Sequence, residues 1–210
     1  MPGKSDRLST YKKKRDLKKS PEPGGKHTTF DWADKRPIFV IQKHDASNLH
    51  YDFRIELDGV LVSWAIPKGP STDPSEKRLA MPTEDHPLDY ADFEGIIPEG
   101  EYGAGTVMVW DRGSYENAKE DNEDGDTPKS VAEQLKDGHV TIKLNGHKLS
   151  GGYALIRTGS GKDTRWLFIK MDDAAADARR NPVSTEPKSV KSGMSLKEIR
   201  KASKRGEADD

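Results

Sequence analysis

Leu49-His50-Tyr51-Asp52-Phe53-Arg54-Ile55-Glu56-Leu57 is the stretch whose reading decides how this chain folds. Its odd positions are all apolar or aromatic, and its even positions are all ionisable. Successive side chains of a β-strand point to opposite faces. As a strand, the segment packs its odd positions into a core and lines its other face with His50, Asp52, Arg54 and Glu56. His, Asp and Arg in succession make a concentrated chemical surface rather than an ordinary solvated one.

The run before it, Ile38–His44, reads as a strand, and Asp45–Asn48 reads as the turn that folds it back alongside. By the same parity Gln42 and His44 share one face, so His44 and His50 flank the turn within reach of each other and of Asp52. Two imidazoles and a carboxylate suit a divalent transition metal. Arg54 cannot bind a cation, but its planar fork matches a phosphate or carboxylate. The residues leave open a solvated strand with a fortuitous ion pair. His44 across the turn and Arg54 in register favour a site where an anionic substrate bridges metal and arginine.

Outward from this hairpin the texture stays that of an antiparallel β protein. Further strands are expected at Val60–Ala65, Thr106–Trp110, His139–Leu144, Gly152–Arg157 and Arg165–Met171, with Asp58-Gly59 as a second hairpin turn. Seven or so short strands imply an all-β domain, either a closed or nearly closed barrel or a sandwich. One helix interrupts them, with Thr127 as N-cap, Pro128 at its first position and Gly138 just past its end. Glu116–Asp126 before it is acidic and poor in apolar residues, an exposed loop. Residues 1–36 form a basic arm broken by Pro21, Pro23, Gly24 and Gly25, with a short helix within Leu8–Lys19. Residues 37–172 form the barrel domain, and 173–210 a polar, mostly flexible tail in which Ser195 and Glu198 have capping-box spacing.

The net charge of −1 hides an uneven distribution. Residues 1–26 carry nine Lys/Arg against three acids, and residues 174–210 nine against six. Removing these from totals of 35 and 36 leaves 17 bases and 27 acids between them. An acidic body with two basic arms argues against broad coating of DNA and for local contacts. The absence of cysteine excludes disulfides, thiolate zinc sites and cysteine nucleophiles, and it fits a reducing cytosol. No signal peptide is expected from Met1–Arg7, and no run of about 18 apolar residues marks a membrane span.

Two more polar clusters are pinned by prolines: Trp64-Ala65-Ile66-Pro67-Lys68-Gly69-Pro70 and Glu84-Asp85-His86-Pro87-Leu88-Asp89-Tyr90. The glycine-rich run Gly95–Gly105 lacks the Gly-Lys-Ser/Thr ending of a P-loop and opens no helix, so it reads as turns rather than a phosphate cradle. His27, His139 and His147 have no partner at a telling spacing.

Several of these motifs, in order, resemble the 3′-phosphoesterase domain of bacterial DNA ligase D and its free-standing relatives. They are Gln42-Lys43-His44 through Leu57-Asp58-Gly59, Ser63 through Pro70, Asp85 through Tyr90, and Phe93-Glu94-Gly95 through Gly105. Tyr11-Lys12-Lys13-Lys14-Arg15-Asp16-Leu17 and Pro21-Glu22-Pro23 resemble that family's N-terminal segment, so the likeness spans about residues 8–172. The resemblance implies a compact β-barrel with its active site on a concave face. It implies removal of a 3′-terminal ribonucleoside from a DNA primer strand to leave a 3′-phosphate, then removal of that phosphate, within non-homologous end joining. Manganese is the implied metal, other divalent transition metals being acceptable, and His44, His50 and Asp52 are its implied ligands. Arg54 and His86 would grip the scissile phosphate, assisted by Lys68, Gln42 and Arg78, with Tyr90 nearby. Arg15, Asp16, Glu22 and Glu84 would serve mainly the ribonucleoside-removing step. His86, at an ordinary pKa of about 6.5, would be a general acid or a cationic clamp.

No ligase or polymerase module is recognisable, so a monomer working with a separate DNA ligase on a primer–template is expected. Two rival readings remain open. His50, Asp52 and His86 also satisfy the 2-His-1-carboxylate pattern of a non-haem iron oxygenase, which leaves His44 idle. A DNA-end-binding adaptor with a structural metal is the non-enzymatic alternative.

Overall fold

A computed structural model of the chain describes residues 7–25, 30, 36–119 and 128–206. Nine strands form one antiparallel sheet: β1 (Ile38–Asp45), β2 (Leu49–Leu57), β3 (Val60–Ile66), β4 (Lys77–Pro82), β5 (Gly95–Ile97), β6 (Gly105–Asn117), β7 (His139–Gly146), β8 (Ser150–Thr158) and β9 (Arg165–Lys170). The order β1-β2-β3-β4-β9-β8-β7-β6 returns to β1 through a β1–β6 pairing, so eight strands close a barrel. β5 pairs with the first residues of β6. Closure leaves these strands without a free edge along the ring. Seven of the nine strands lie where alternation places them, but β4 and β5 escape it. β4 is a short Lys-Arg-Leu-Ala-Met-Pro run, and β5 is only three residues long.

The Asp58-Gly59 hairpin explains its own sequence. Both residues take positive φ, 53° and 79°, as a tight type I′ turn demands. Inside the ring, Phe39, Ile41, Phe53, Trp64, Trp110 and Phe168 pack as one core, each at most 1% exposed. Truncating Phe53 to alanine there should cost about 3–5 kcal/mol. A second cluster lies on the outer wall: Ile38, Val40, Leu61, Val107 and Val109, covered by Tyr90, Phe93 and Tyr11. β1 is thus apolar on both faces for its first four residues, and its outer face turns polar only at Gln42 and His44.

Tyr11 belongs to a short helix, α1 (Ser9–Lys13), which lays the basic arm over this outer wall. A five-residue 3-10 turn, Leu88–Asp92, supplies Tyr90. The interrupting helix, α2, spans Val131–Asp137 and is capped by Ser130, whose hydroxyl and Glu133 form a reciprocal capping box. It therefore starts beyond Pro128, and Thr127 lies outside the described residues. Gly138 ends it in the left-handed conformation, as expected. Of the acidic loop, Glu116 and Asn117 extend β6 and residues 120–126 lie outside the described residues.

The C-terminal stretch differs from the loose tail expected of its composition. Two helices, α3 (Pro182–Thr185) and α4 (Leu196–Gly206), run across the barrel. Ile199 is 2% exposed, and Val183, Met194 and Leu196 pack on the inner core. The Trp110 indole donates to the Glu186 carbonyl, and Lys148 Nζ donates to the carbonyls of Glu186 and Lys188. A handful of well-spaced apolar anchors and backbone acceptors fix the segment, and average polarity conceals both. Ser195 and Glu198 make the expected capping box. Among the described residues no helix is long and apolar enough to cross a membrane.

Candidate active site

The β1–β2 register sets His44 opposite His50 and Gln42 opposite Asp52. All four, with Arg54, project from the outer wall, where a pocket of about 270 Å³ opens between β1–β2 and the 83–103 segment. His44 Nδ1 stands 3.5 Å from Asp52 Oδ2, and His50 Nε2 stands 3.6 Å from Asp52 Oδ1. The two imidazole centroids are 4.8 Å apart. These separations are too long for hydrogen bonds, but they suit donors converging on one ion.

Second contacts orient both rings. His44 Nε2 lies 2.8 Å from the Gly103 carbonyl, and His50 Nδ1 lies 2.9 Å from the Asn48 carbonyl. A carbonyl only accepts, so each ring carries its proton there and turns its other nitrogen's lone pair toward Asp52. The three residues offer ligand atoms all within 4.8 Å of one another. Two neutral imidazoles and one carboxylate fit a first-row divalent metal. Gly103 lines the pocket, and Gly105 follows it at the start of β6. Gly105 is at φ +148°, and a side chain there would collide with the Asp45 carbonyl.

Burial works to raise the Asp52 pKa, yet Arg54 and both imidazoles hold it well below the usual carboxylate range. For His50, burial favours the neutral ring, but contact with Asp52 outweighs it and the pKa is raised.

Arg54 lies between the triad and a second group. Its Nη2 contacts Asp52 Oδ2 at 3.1 Å, its Nε donates to Gln42 Oε1 at 2.8 Å, and its Nη1 approaches His86 Nδ1 to 3.0 Å. Gln42 is fully buried and also donates to the carbonyls of Tyr90 and Phe93. It stands behind Arg54 rather than on the pocket wall. His86 is 3% exposed, with Nδ1 2.8 Å from the Glu84 carbonyl and Nε2 3.2 Å from Arg15 Nη2. Burial, Arg54 and Arg15 push its pKa well below 6.5. These surroundings favour the neutral ring over the cationic clamp expected of an ordinary histidine.

The arm completes the pocket. Arg15 donates to Glu22 and to Glu84, at 2.8 Å each. Glu22 also accepts from Ser20 and from the Tyr90 hydroxyl. Tyr11, which periodicity gave no reason to single out, sits edge-on to His86 with centroids 5.1 Å apart.

Comparison with known proteins then decides the family. Residues 42–157 match the family model described as the DNA ligase D 3′-phosphoesterase domain. This chain belongs to that family. Within it, the chain is similar to "Multifunctional non-homologous end joining protein LigD" of Pseudomonas aeruginosa, 48% identical over 192 residues, covering 90% of this chain and 22% of that protein. It is likewise 48% identical over 169 residues to the Mycobacterium tuberculosis DNA repair protein LigD, covering 80% of the chain and 20% of that protein. The Mycolicibacterium smegmatis protein is 45% identical over 170 residues. The chain thus spans about a fifth of the length of these relatives.

As a member of the DNA ligase D phosphoesterase family, the chain gathers Arg15, His44, His50, Asp52, Arg54, Glu84, His86 and Tyr90 around one pocket. Gln42 and Glu22 brace it from behind. Asp16 is exposed and closes a local turn with Lys18 and Lys19. Lys68 is exposed on the turn after β3, Arg78 pairs with Glu76, and neither lines the pocket. His86 stands with the arginines, outside the group of His44, His50 and Asp52, which gives the oxygenase reading no support. Sequence reasoning missed Tyr11, Tyr102 and the Gly103 carbonyl. Only the position of Tyr102 inside a turn-rich run signalled an exposed ring.

Proposed function

We propose that the chain is a manganese-dependent phosphoesterase that processes DNA 3′ ends in the cytoplasm. It removes a terminal ribonucleoside to leave a 3′-phosphate and then releases that phosphate. The observation that carries this reading is the placement of Arg54 between a metal-competent triad and the His86–Arg15 group, around a pocket sized for an anion. His44, His50 and Asp52 would hold the metal, which when bound supplies positive charge against a phosphoryl oxygen.

The protein's own groups do the remaining work. The Arg54 fork, fixed by Gln42, binds phosphoryl oxygens and stabilises charge that accumulates on them. Arg15 supplies the second buried positive charge at the other edge of the pocket. The neutral His86 ring, with Nδ1–H toward the Glu84 carbonyl and Nε2 accepting from Arg15, holds that arginine in place at the phosphate. The Tyr90 ring, its centroid 5.0 Å from the Arg54 guanidinium carbon, supports that fork by a cation–π contact. Lys68 and Arg78, on long side chains outside the pocket, would come to the substrate as it binds, with Asp16 on the arm. The substrate class and a ligase partner rest on family membership.

The test uses a 5′-labelled primer–template ending in one ribonucleotide and another ending in a 3′-phosphate. With manganese, shortening to a 3′-phosphate and then a 3′-hydroxyl is expected, abolished by EDTA and by His50→Ala. Binding without turnover, unaltered by His50→Ala, would instead identify an end-binding adaptor.

A further inference from the structure

A second cleft adjoins the first. It has a volume of about 410 Å³ and shares Thr83, Glu84 and Tyr102 with the phosphate pocket, while Arg7, Thr10 and Lys14 of the arm form its far side. Its room is that of a small-ligand site. At the junction stands Tyr102, 48% exposed and among the largest exposed apolar side chains of the protein. The ring is not loose. Lys14 Nζ lies 4.5 Å from its centroid and 3.2 Å from its hydroxyl, and the Arg15 guanidinium lies 5.3 Å from its centroid. The turn that carries it is tied by bonds from Glu101 N to the Pro98 carbonyl and from Ala104 N to the Glu101 carbonyl. The next residue, Gly103, accepts from His44. The ring is therefore fixed one peptide away from the partner of a metal-site imidazole.

Glu84 adds a second kind of recognition. Its oxygens accept from Lys14 and Arg15 at 3.0 and 2.8 Å, and each carboxylate oxygen retains another lone pair. A carboxylate facing vicinal hydroxyls is a recurring way to read ribose. Thr10 and Thr83 line the same cleft.

We propose that Tyr102 is the platform on which the base of the terminal nucleoside stacks in this cleft, beside Glu84, which the family resemblance already ties to ribonucleoside removal. The inference rests on the pocket being the phosphate site, since it places a nucleoside next to that phosphate. Stacking is tolerant of base identity because every base offers a π-face, so the subsite takes any of the four.

Two measurements test it. In the first, ribonucleoside removal is compared between ends that carry a base and ends whose terminal ribose lacks one, in the wild type, Tyr102→Ala and Tyr102→Phe. Loss of the base should lower kcat/KM in the wild type by roughly 5- to 150-fold, the range for one stacked base. In Tyr102→Ala the base should make no further difference, and Tyr102→Phe should behave like the wild type. In the second, a primer ends in 2-aminopurine riboside joined through an uncleavable methylenephosphonate. Its fluorescence should be quenched on binding to the wild type and not on binding to Tyr102→Ala. Equal quenching in both proteins, or a base effect that survives in Tyr102→Ala, would overturn the subsite. Quenching that depends on Tyr102 without any turnover of cleavable primers would keep the subsite and overturn the hydrolase reading. Turnover with no Tyr102-dependent quenching would do the reverse.

Discussion

Arg54 Nη2 sits 3.1 Å from Oδ2 of Asp52, the same oxygen that His44 Nδ1 faces from 3.5 Å. One carboxylate thus serves the metal-competent side of the site and the phosphate-competent side together. Asp52→Asn removes the charge from both. Manganese affinity should fall at least about 100-fold, followed by electron paramagnetic resonance of the free ion, and phosphate release should vanish. Manganese binding as tight as in the wild type would rule out the proposed ligand set.

The Gly103 carbonyl orients His44 and is not among the three proposed ligands. Gly103 lies at φ +80°, where an alanine is strained even though its Cβ would meet His44 only at an ordinary 3.7 Å. Gly103→Ala should therefore shift the carbonyl and weaken metal binding about 10-fold, the low end for a lost outer partner. Calorimetric titration with manganese reads this directly, and an unchanged affinity would show that the carbonyl does not hold the ring.

Arg15 joins two carboxylates, Glu22 and Glu84, whose side chains are 0% and 5% exposed. Removing one partner of a buried ion pair costs about 3–5 kcal/mol because the other charge stays behind. Arg15→Ala should release residues 7–25 from the outer wall while the barrel stays folded. Hydrogen exchange should rise in the arm and stay low in β1–β3. Ribonucleoside removal should drop by more than phosphate release. Equal losses in the two steps would refute that division.

Asp111 is buried and accepts from the amides of Arg112, Lys148 and Leu149. Burial pushes its pKa up to about 6, although those amides pull the other way. A carboxyl with a raised pKa in the folded state stays protonated while the unfolded chain ionises. Its contribution to stability is therefore full below pH 4 and is lost as pH rises toward 6. Two pKa units correspond to about 3 kcal/mol. Urea unfolding from pH 4 to 7 should show this decline in the wild type and not in Asp111→Asn. Parallel curves would count against the assignment.

The hairpin at the site was legible because alternation along β2 and the turn length together fix which residues meet. His44 faces His50 as the parity argument requires. Other features were hidden for identifiable reasons. Ile38–Ile41 is apolar at every position, so no pattern reveals that Val40 faces outward beneath Tyr90 while Ile41 faces inward. The start of α2 was misplaced because Thr127-Pro128 and Ser130-x-x-Glu133 both signal a helix N-terminus, and the reciprocal box is the stronger pair. The lowered pKa of His86 comes from its burial and from Arg54 and Arg15 meeting around it. Those residues are remote in sequence, and only the closed barrel and its arm bring them together.

β2 carries the site and the core on alternate residues of one strand, and this constrains how the protein can change over generations. Substitution at His50, Asp52 or Arg54 edits chemistry without touching the rings of Tyr51 and Phe53. An inserted or deleted codon between Asp52 and Phe53 would exchange the two faces from that point on, sending Arg54 into the core and Phe53 onto the face of the site. The length of this strand is therefore frozen while its outer letters stay editable. New specificities on this scaffold should arise by point replacement in β2 and by length variation only in the loops around the pocket.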